Sequence, residues 1–302
     1  MKVPKITVAI PTYQREEVLV NTIKDVLDQT FDGFELIVVD QTEDHTEKTR
    51  AFLERIADER FRYFKVFPPS LPAARNFSIK ESRSDIILFI DDDVQLAENF
   101  IAAHYNIHIS QADIKVVAGR IQTEGEEPAE KLFCFNWYGN ERYNFNYPYP
   151  QEATAFQGCN FSVKKEVLES VGFFDTNYMG NAIREESDLA FRIKKAGYKI
   201  WYAPNACLIH LMGYSGGCSI TGLNKDNLSF YKNDLYYTLK TVHFFMLPAV
   251  LAAKTYRYIL KRPISRILPR GYLFFRGLTY AFSRRFFPRK ITPTVLEKRI
   301  GG

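Results

Sequence analysis

The chain has 302 residues, 46% of them hydrophobic and 25% charged, an ordinary globular composition that can bury a substantial core in one large domain or two smaller ones. Its four cysteines, Cys134, Cys159, Cys207 and Cys218, lie far apart with no paired C-x-x-C spacing, which argues against a zinc site and for reduced thiols in a cytosol. The net charge of +5 conceals a division: residues 232–302 carry 15 Lys or Arg against only Asp234 and Glu297, while the rest of the chain holds 25 basic and 33 acidic groups. An acidic body is followed by a basic tail.

Met1-Lys2-Val3-Pro4-Lys5 leads into a strand-like run without a long apolar stretch or a small-residue cleavage site, so no signal peptide is expected. Ile6-Thr7-Val8-Ala9-Ile10 reads as a first strand, stopped by Pro11 because proline lacks an N–H for the ladder. From Glu16 to Gln29, Leu19, Ile23, Val26 and Leu27 share one helical face. Phe34 to Val39 is a nearly continuous apolar strand that ends in Asp40, and a helix is expected from about Glu43 to Ala57. Phe61 to Phe67 supplies a third strand, and Pro72 suits the first turn of a helix that runs through Ile79. Strands alternating with helices in this way predict a parallel sheet covered on both faces.

The next strand, Ile86 to Ile90, runs straight into Asp91-Asp92-Asp93. In an open α/β sheet the carboxyl edge of the strands is where ligands bind. Three adjacent carboxylates there repel one another and need a positive partner, and a hard divalent cation, Mg²⁺ or Mn²⁺, suits oxygen ligands shared with substrate phosphates. Extended geometry would point Asp91 and Asp93 to one side and Asp92 to the other. A solvated acidic turn is the plainer reading of the triplet taken alone.

Ile114 to Ile121 is the next expected strand, followed by a long excursion to Tyr149 crowded with Phe133, Phe135, Trp137, Tyr138, Tyr143, Phe145, Tyr147 and Tyr149. These aromatics either pack onto the sheet, the favoured reading, or wall an acceptor pocket. Gly158 to Val163 reads as a strand, Lys164 to Val171 as a short helix, and Arg184 to Ala196 as a helix stopped at Gly197. Acid in the first turn of that helix offsets the dipole, but Glu185, Glu186 and Asp188 are more acid than that requires. Lys199 to Ala203 and Ala206 to His210 are predicted as two further strands.

These segments, in this order, resemble family 2 glycosyltransferases with the GT-A fold: Pro11-Thr12-Tyr13, Asp40, Ala74-Arg75-Asn76, Asp91-Asp92-Asp93, Gly158-Cys159-Asn160, Glu185-Glu186-Ser187-Asp188-Leu189 with Arg192, and His210. The resemblance covers roughly residues 5 to 212. It implies a Rossmann-like, mostly parallel central sheet flanked by helices. A catalytic domain is expected over residues 1–225, and the change of character from about Asp226 marks a basic, aromatic-rich helical tail over 226–302. The resemblance also implies that Pro11, Thr12, Tyr13, Arg15, Asp40, Arg75, Asp91 and Asp92 face a nucleotide-sugar donor, with Asp40 accepting the imide N–H of a pyrimidine. Asp91 and Asp93 look like the ends of the D-x-D signature at the metal, with His210 as a further metal or phosphate contact. A lone histidine is more often a structural hydrogen-bonder. Gly158, Cys159, Asn160 and Asp188 would lie on the acceptor side.

Glu186 falls where the family usually carries the Asp that serves as general base, and Glu185 competes for that role. Gln41-Thr42 after Asp40 is a milder departure from the family pattern. The implied activity is a metal-dependent inverting transfer from a donor, UDP- or dTDP-linked, to a glycan or lipid-linked acceptor in cell-surface polysaccharide assembly. A nucleotidyltransferase of the same fold would want a glycine-rich basic loop after the first strand, which Pro11-Thr12-Tyr13-Gln14-Arg15 is not. A catalytically inactive, membrane-associated scaffold is the non-enzymatic alternative.

In the tail the apolar window from Val242 to Ala253 is cut short by Lys254 and Arg257, too short for the roughly 20 residues of a spanning helix. Basic and aromatic residues then alternate to Phe287, which suits peripheral attachment to an anionic membrane surface on the cytosolic face. The other readings are a helical cover docked on the catalytic domain or a nucleic-acid patch, and no nucleic-acid partner is expected.

Overall fold

The computed structural model describes residues 3–135, 141–142, 144–211, 216–217 and 227–300. Trp137, Tyr138, Tyr143 and Cys218 fall outside them, as do the side chains of Cys134 and Phe135.

Strand β1 (Ile6–Thr12) is followed by α1 (Glu17–Leu27), β2 (Phe34–Asp40), α2 (Glu47–Arg55), β3 (Phe61–Phe67), α3 (Leu71–Glu81) and β4 (Ile86–Ile90). β1 pairs in parallel with β2 and β4, and β2 with β3, so the spatial order is 3-2-1-4. All five residues of β4 are buried. Each such aliphatic or aromatic side chain contributes roughly 1.5–3 kcal/mol, enough to fix a strand that delivers three carboxylates to the sheet edge. Pro11 does not stop β1. The β4 ladder covers only Thr7 to Ala9, so Pro11 lies past it, where its missing N–H costs that neighbour nothing, and the strand continues to Thr12 opposite Asp40.

The second half of the sheet is mixed. After β5 (Val94–Leu96) and α4 (Phe100–Ser110) come β6 (Val116–Gln122), the small pair β7 (Cys134–Phe135) and β8 (Glu141–Arg142), then β9 (Gln151–Ala153) and β10 (Asn160–Lys164). β10 runs antiparallel between β4 and β6. Its start, Asn160, therefore lies opposite Ile90 at the edge where β4 ends. Helices α5 (Lys165–Val171) and α6 (Glu185–Lys195) precede β11 (Ile200–His210), which is parallel to β6 and ends at that same edge. The two strands expected around Ala203 and Ala206 are this single strand, interrupted by a register shift between Ala203 and Cys207. In the aromatic excursion Phe133 and Phe145 stack, and both are buried, whereas Tyr149 is exposed.

The tail forms α7 (Leu228–Thr241), α8 (Leu247–Thr255), a π-helical turn Tyr256–Leu260, and α9 (Ile264–Phe286). α7 and α9 approach so closely that a Cβ on Gly277 would stand 2.7 Å from that of Tyr231. Their contact builds a second core with Tyr178, Phe230, Leu235, Tyr258 and Phe274. The tail is not wholly helical: β12 (Thr294–Ile300) returns to pair antiparallel with β3. That pairing covers an edge whose open N–H and C=O groups would otherwise face solvent.

Candidate active site

β1, β2, β4 and β11 all end at one sheet edge, and β10 begins there. Beyond Ile90 the three aspartates diverge as extended geometry predicts. Asp92 turns toward the β1–α1 loop, where it accepts from Thr12 Oγ1 at 2.6 Å and from Arg15 Nε at 3.1 Å. Asp91 and Asp93 face His210, whose Nε2 lies 3.8 Å from Asp91 and 3.2 Å from Asp93. Arg15 also donates to Asp93 through Nη2 at 2.8 Å. Arg15, Arg75 and His210 thus supply the positive charge that the triplet requires.

Burial disfavours the charged imidazole of His210, yet hydrogen bonds to Asp91 and Asp93 and their negative charges raise its pKa to about 10. Asp92 is pushed up to about 7 by burial, against the pull of Arg15. The Cys159 thiol is raised by burial and by Asp91 and Asp93. One Asp91 oxygen, Cys159 Sγ and an imidazole nitrogen of His210 lie within 4.8 Å of one another. With Asp93 alongside, the residues present fit a divalent cation, Asp91 and Asp93 offering hard oxygen donors and His210 a borderline imidazole nitrogen.

Arg75, 2% exposed, ties the edge together. It donates to the Gly158 carbonyl at 3.1 Å, lies 3.3 Å from Asp91, and forms an ion pair with Glu185. Gly158 is needed for this approach, since a Cβ there would sit 2.5 Å from Arg75 Nη2. Glu185, 1% exposed, is paired with Arg75. Glu186 lies about 100° further round α6 and is only half-buried. Before it, Arg184 adopts φ +79°, a left-handed conformation that costs a non-glycine residue about 1–2 kcal/mol. Among the described residues the other two of this kind, Gln14 and Ala182, also flank this edge, in keeping with strain gathering at functional sites.

Several residues expected to contact donor or acceptor are buried in this structure. Asn160 is fully buried, its amide used by His104 at 2.9 Å and by the Arg120 and Ala206 carbonyls at 2.8 and 3.0 Å. It braces the sheet and is not presented to an acceptor. Asp188, also fully buried, is bound by Arg192 at 2.9 Å and Lys240 at 2.7 Å. Thr12 and Asp92 are both buried, and the two Asp92 oxygens are taken by the Thr12 hydroxyl and by Arg15. Asp40 is not a free acceptor for a base: it is fully buried and takes bonds from Tyr63 and His45, both at 2.6 Å, and from the Thr42 N–H at 2.8 Å. Burial opposes its charge, but the His45, Tyr63 and Thr42 contacts hold its pKa below the usual range. Pro11 is buried and Tyr13 half-buried. The Tyr13 carbonyl accepts from the Gly217 N–H at 2.7 Å.

Some residues that organise the edge were not singled out from sequence. His45 engages both Asp40 and Glu16. Asp234, from α7, binds Arg184 at 2.9 Å and Lys254 at 2.6 Å. The one available signal was Asp234 standing as one of only two acids in a basic tail.

The sequence profile described as "Glycosyl transferase family 2" matches residues 7–172, more than half of the chain. The chain belongs to glycosyl transferase family 2. This family 2 chain is similar to "Glycosyltransferase GlyA" of Streptococcus pneumoniae serotype 4 (29% identity; 46% of this chain, 20% of that protein). It is also similar to "Probable glycosyltransferase YdaM" of Bacillus subtilis (24% identity; 68% and 50%) and to "Glucosyl-dolichyl phosphate glucuronosyltransferase" of Haloferax volcanii (25% identity; 57% and 56%). The chain spans between 13% and 56% of the length of such relatives. Among solved structures it resembles GalNAc-T7 with UDP, GalNAc and Mn²⁺ (TM-score 0.66, 14% identity, 96% of this chain and 59% of that one). It also resembles the mannosyltransferase PcManGT of Pyrobaculum calidifontis with GDP-Man and Mn²⁺ (TM-score 0.54, 15% identity, 96% and 89%). The family 2 chain has the GT-A fold.

Proposed function

We propose that the protein is a metal-dependent inverting glycosyltransferase that moves a sugar from a nucleotide-sugar donor to a glycan or lipid-linked acceptor in cell-surface polysaccharide assembly. The observation that carries the reading is the meeting of Asp91, Asp93 and His210 with the start of α6 at one sheet edge. The neighbours with Mn²⁺ and a nucleotide or nucleotide sugar support it. A divalent cation bound by Asp91, Asp93 and His210 would neutralise charge developing on the diphosphate leaving group.

The chain's own residues do the rest. Arg15 fixes the orientation of Asp93, and Arg75 that of Asp91. An acceptor hydroxyl is a poor nucleophile until its proton is taken, and we assign that role of general base to Glu186, the half-exposed carboxylate in the first turn of α6. Glu185 holds Arg75 and so keeps the two helix-start carboxylates in separate roles. One direct displacement then inverts the anomeric centre. The donor is read as UDP- or dTDP-linked. Peripheral attachment to the cytosolic face of a membrane belongs to the same reading. Calorimetric titration of UDP, dTDP and GDP, each with Mn²⁺ and with chelator, tests it. Metal-dependent binding of one of them is expected, and no binding of any would favour an inactive scaffold.

A further inference from the structure

Between Lys240 and Lys290 the chain carries 12 Lys or Arg and no Asp or Glu. Two of these lysines turn inward, Lys240 to Asp175 and Asp188 and Lys254 to Asp234. Helix α9 buries Phe274, Gly277 and Ala281 against α7. Its other side presents Ile264, Leu268, Tyr272, Phe275, Phe282 and Phe286 at three-, four- and seven-residue spacing, between 45% and 86% exposed. Near its far end the Phe244–Met246 turn leaves Phe244 77% and Phe245 83% exposed. Beside that turn runs a groove of about 840 Å³ in which Lys195 from α6, His243 and Arg285 from α9 converge with Phe191, Phe244 and Leu247. Lys195, His243 and Arg285 are exposed, and none has an acidic partner among the described residues. Cations in the last turn of a helix offset its dipole, which explains why Lys195 and Arg285 are tolerated. It does not explain two largely exposed phenylalanines beside them.

We propose that this face docks on an anionic phospholipid surface, with Phe244 and Phe245 inserted among the acyl chains and a headgroup phosphate seated in the groove between Lys195, His243 and Arg285. The proposal deepens the membrane part of the proposed function and is independent of the transfer chemistry. An apolar face ringed by cations is attracted by charge and held by buried aromatic area. No helix among the described residues is long and apolar enough to cross a membrane, and this mode of attachment requires none.

The test is sedimentation of the full chain with vesicles of phosphatidylcholine alone and of phosphatidylcholine mixed with phosphatidylglycerol. The wild-type protein is expected to bind only the mixed vesicles, less tightly as salt is raised. Removing two basic groups from an anionic surface weakens attachment about thirtyfold, the loss expected for K195Q/R285Q. The F244S/F245S variant should lose binding at least tenfold while keeping the wild-type melting temperature, because both side chains are exposed. Failure of the wild type to bind mixed vesicles would overturn both the proposal and the membrane reading. Wild-type binding that neither double variant reduces would overturn the docking face alone and leave attachment to another surface of the chain.

Discussion

Two buried acidic centres in this protein solve the same electrostatic problem in opposite ways. Asp234 is fully buried, and its carboxylate is taken by Arg184, Lys254 and the Tyr258 hydroxyl. Burial raises its pKa, but the two cations overcome that and hold it far below the ordinary carboxylate range. At the sheet edge three aspartates share Arg15, Arg75 and His210, and Arg75 is also committed to Glu185. Asp91 remains 34% exposed and His210 20%. The first centre is closed and saturated, which suits a structural lock. The second is open and has more acid than base, which leaves capacity for a cation and a phosphate group.

Several substitutions would break or sharpen that contrast. Asp93→Ala should abolish metal-dependent nucleotide binding by calorimetry in a chain that still folds; unchanged affinity with Mn²⁺ would mean that the open centre is not the metal site. Glu186→Gln should retain donor binding and lose about 10²–10⁴ in transfer rate, and full activity would move the base elsewhere. Asp234→Ala should destabilise the fold by about 3–5 kcal/mol, because it strands Arg184 and Lys254 in the interior. A melting temperature within error of wild type would show that the closed centre locks nothing.

The last test concerns pH. Burial pushes His104 down to about 4 and His108 down to about 3. Unfolded, each takes a proton near pH 6.5, so below that value the unfolded chain binds more protons than the folded one. Stability is then fully present above about pH 6.5 and falls as the pH drops toward 4. His104→Gln should flatten that slope in denaturant titrations across the window, and an unchanged slope would assign it to other groups.

Much of this was legible in the sequence where chemistry and local pattern coincide. Apolar runs ending in acid mark β2 and β4, and the alternation with helices gives the parallel half of the sheet. Long-range pairing was not legible. Nothing near Thr294–Ile300 says that it returns to β3, because the partner lies more than two hundred residues earlier. The roles of the two glutamates were also hidden, since Glu185 and Glu186 are chemically alike and only Arg75, brought over from α3, separates them. The same holds for Asn160 and Asp188, whose polarity suggested a site and whose burial assigns them to the frame.

The return of β12 to the sheet changes how the tail can be studied. The segment from α7 to α9 is anchored at both ends in the catalytic body, as a handle is, and not at one end like an appendage. Cutting it away would also strip the outermost strand and leave β3 as a bare template for a second molecule's strand. A shortened chain that precipitated would then report an exposed sheet edge and say nothing about lipid, so the tail's purpose has to be probed by point substitution in the intact chain.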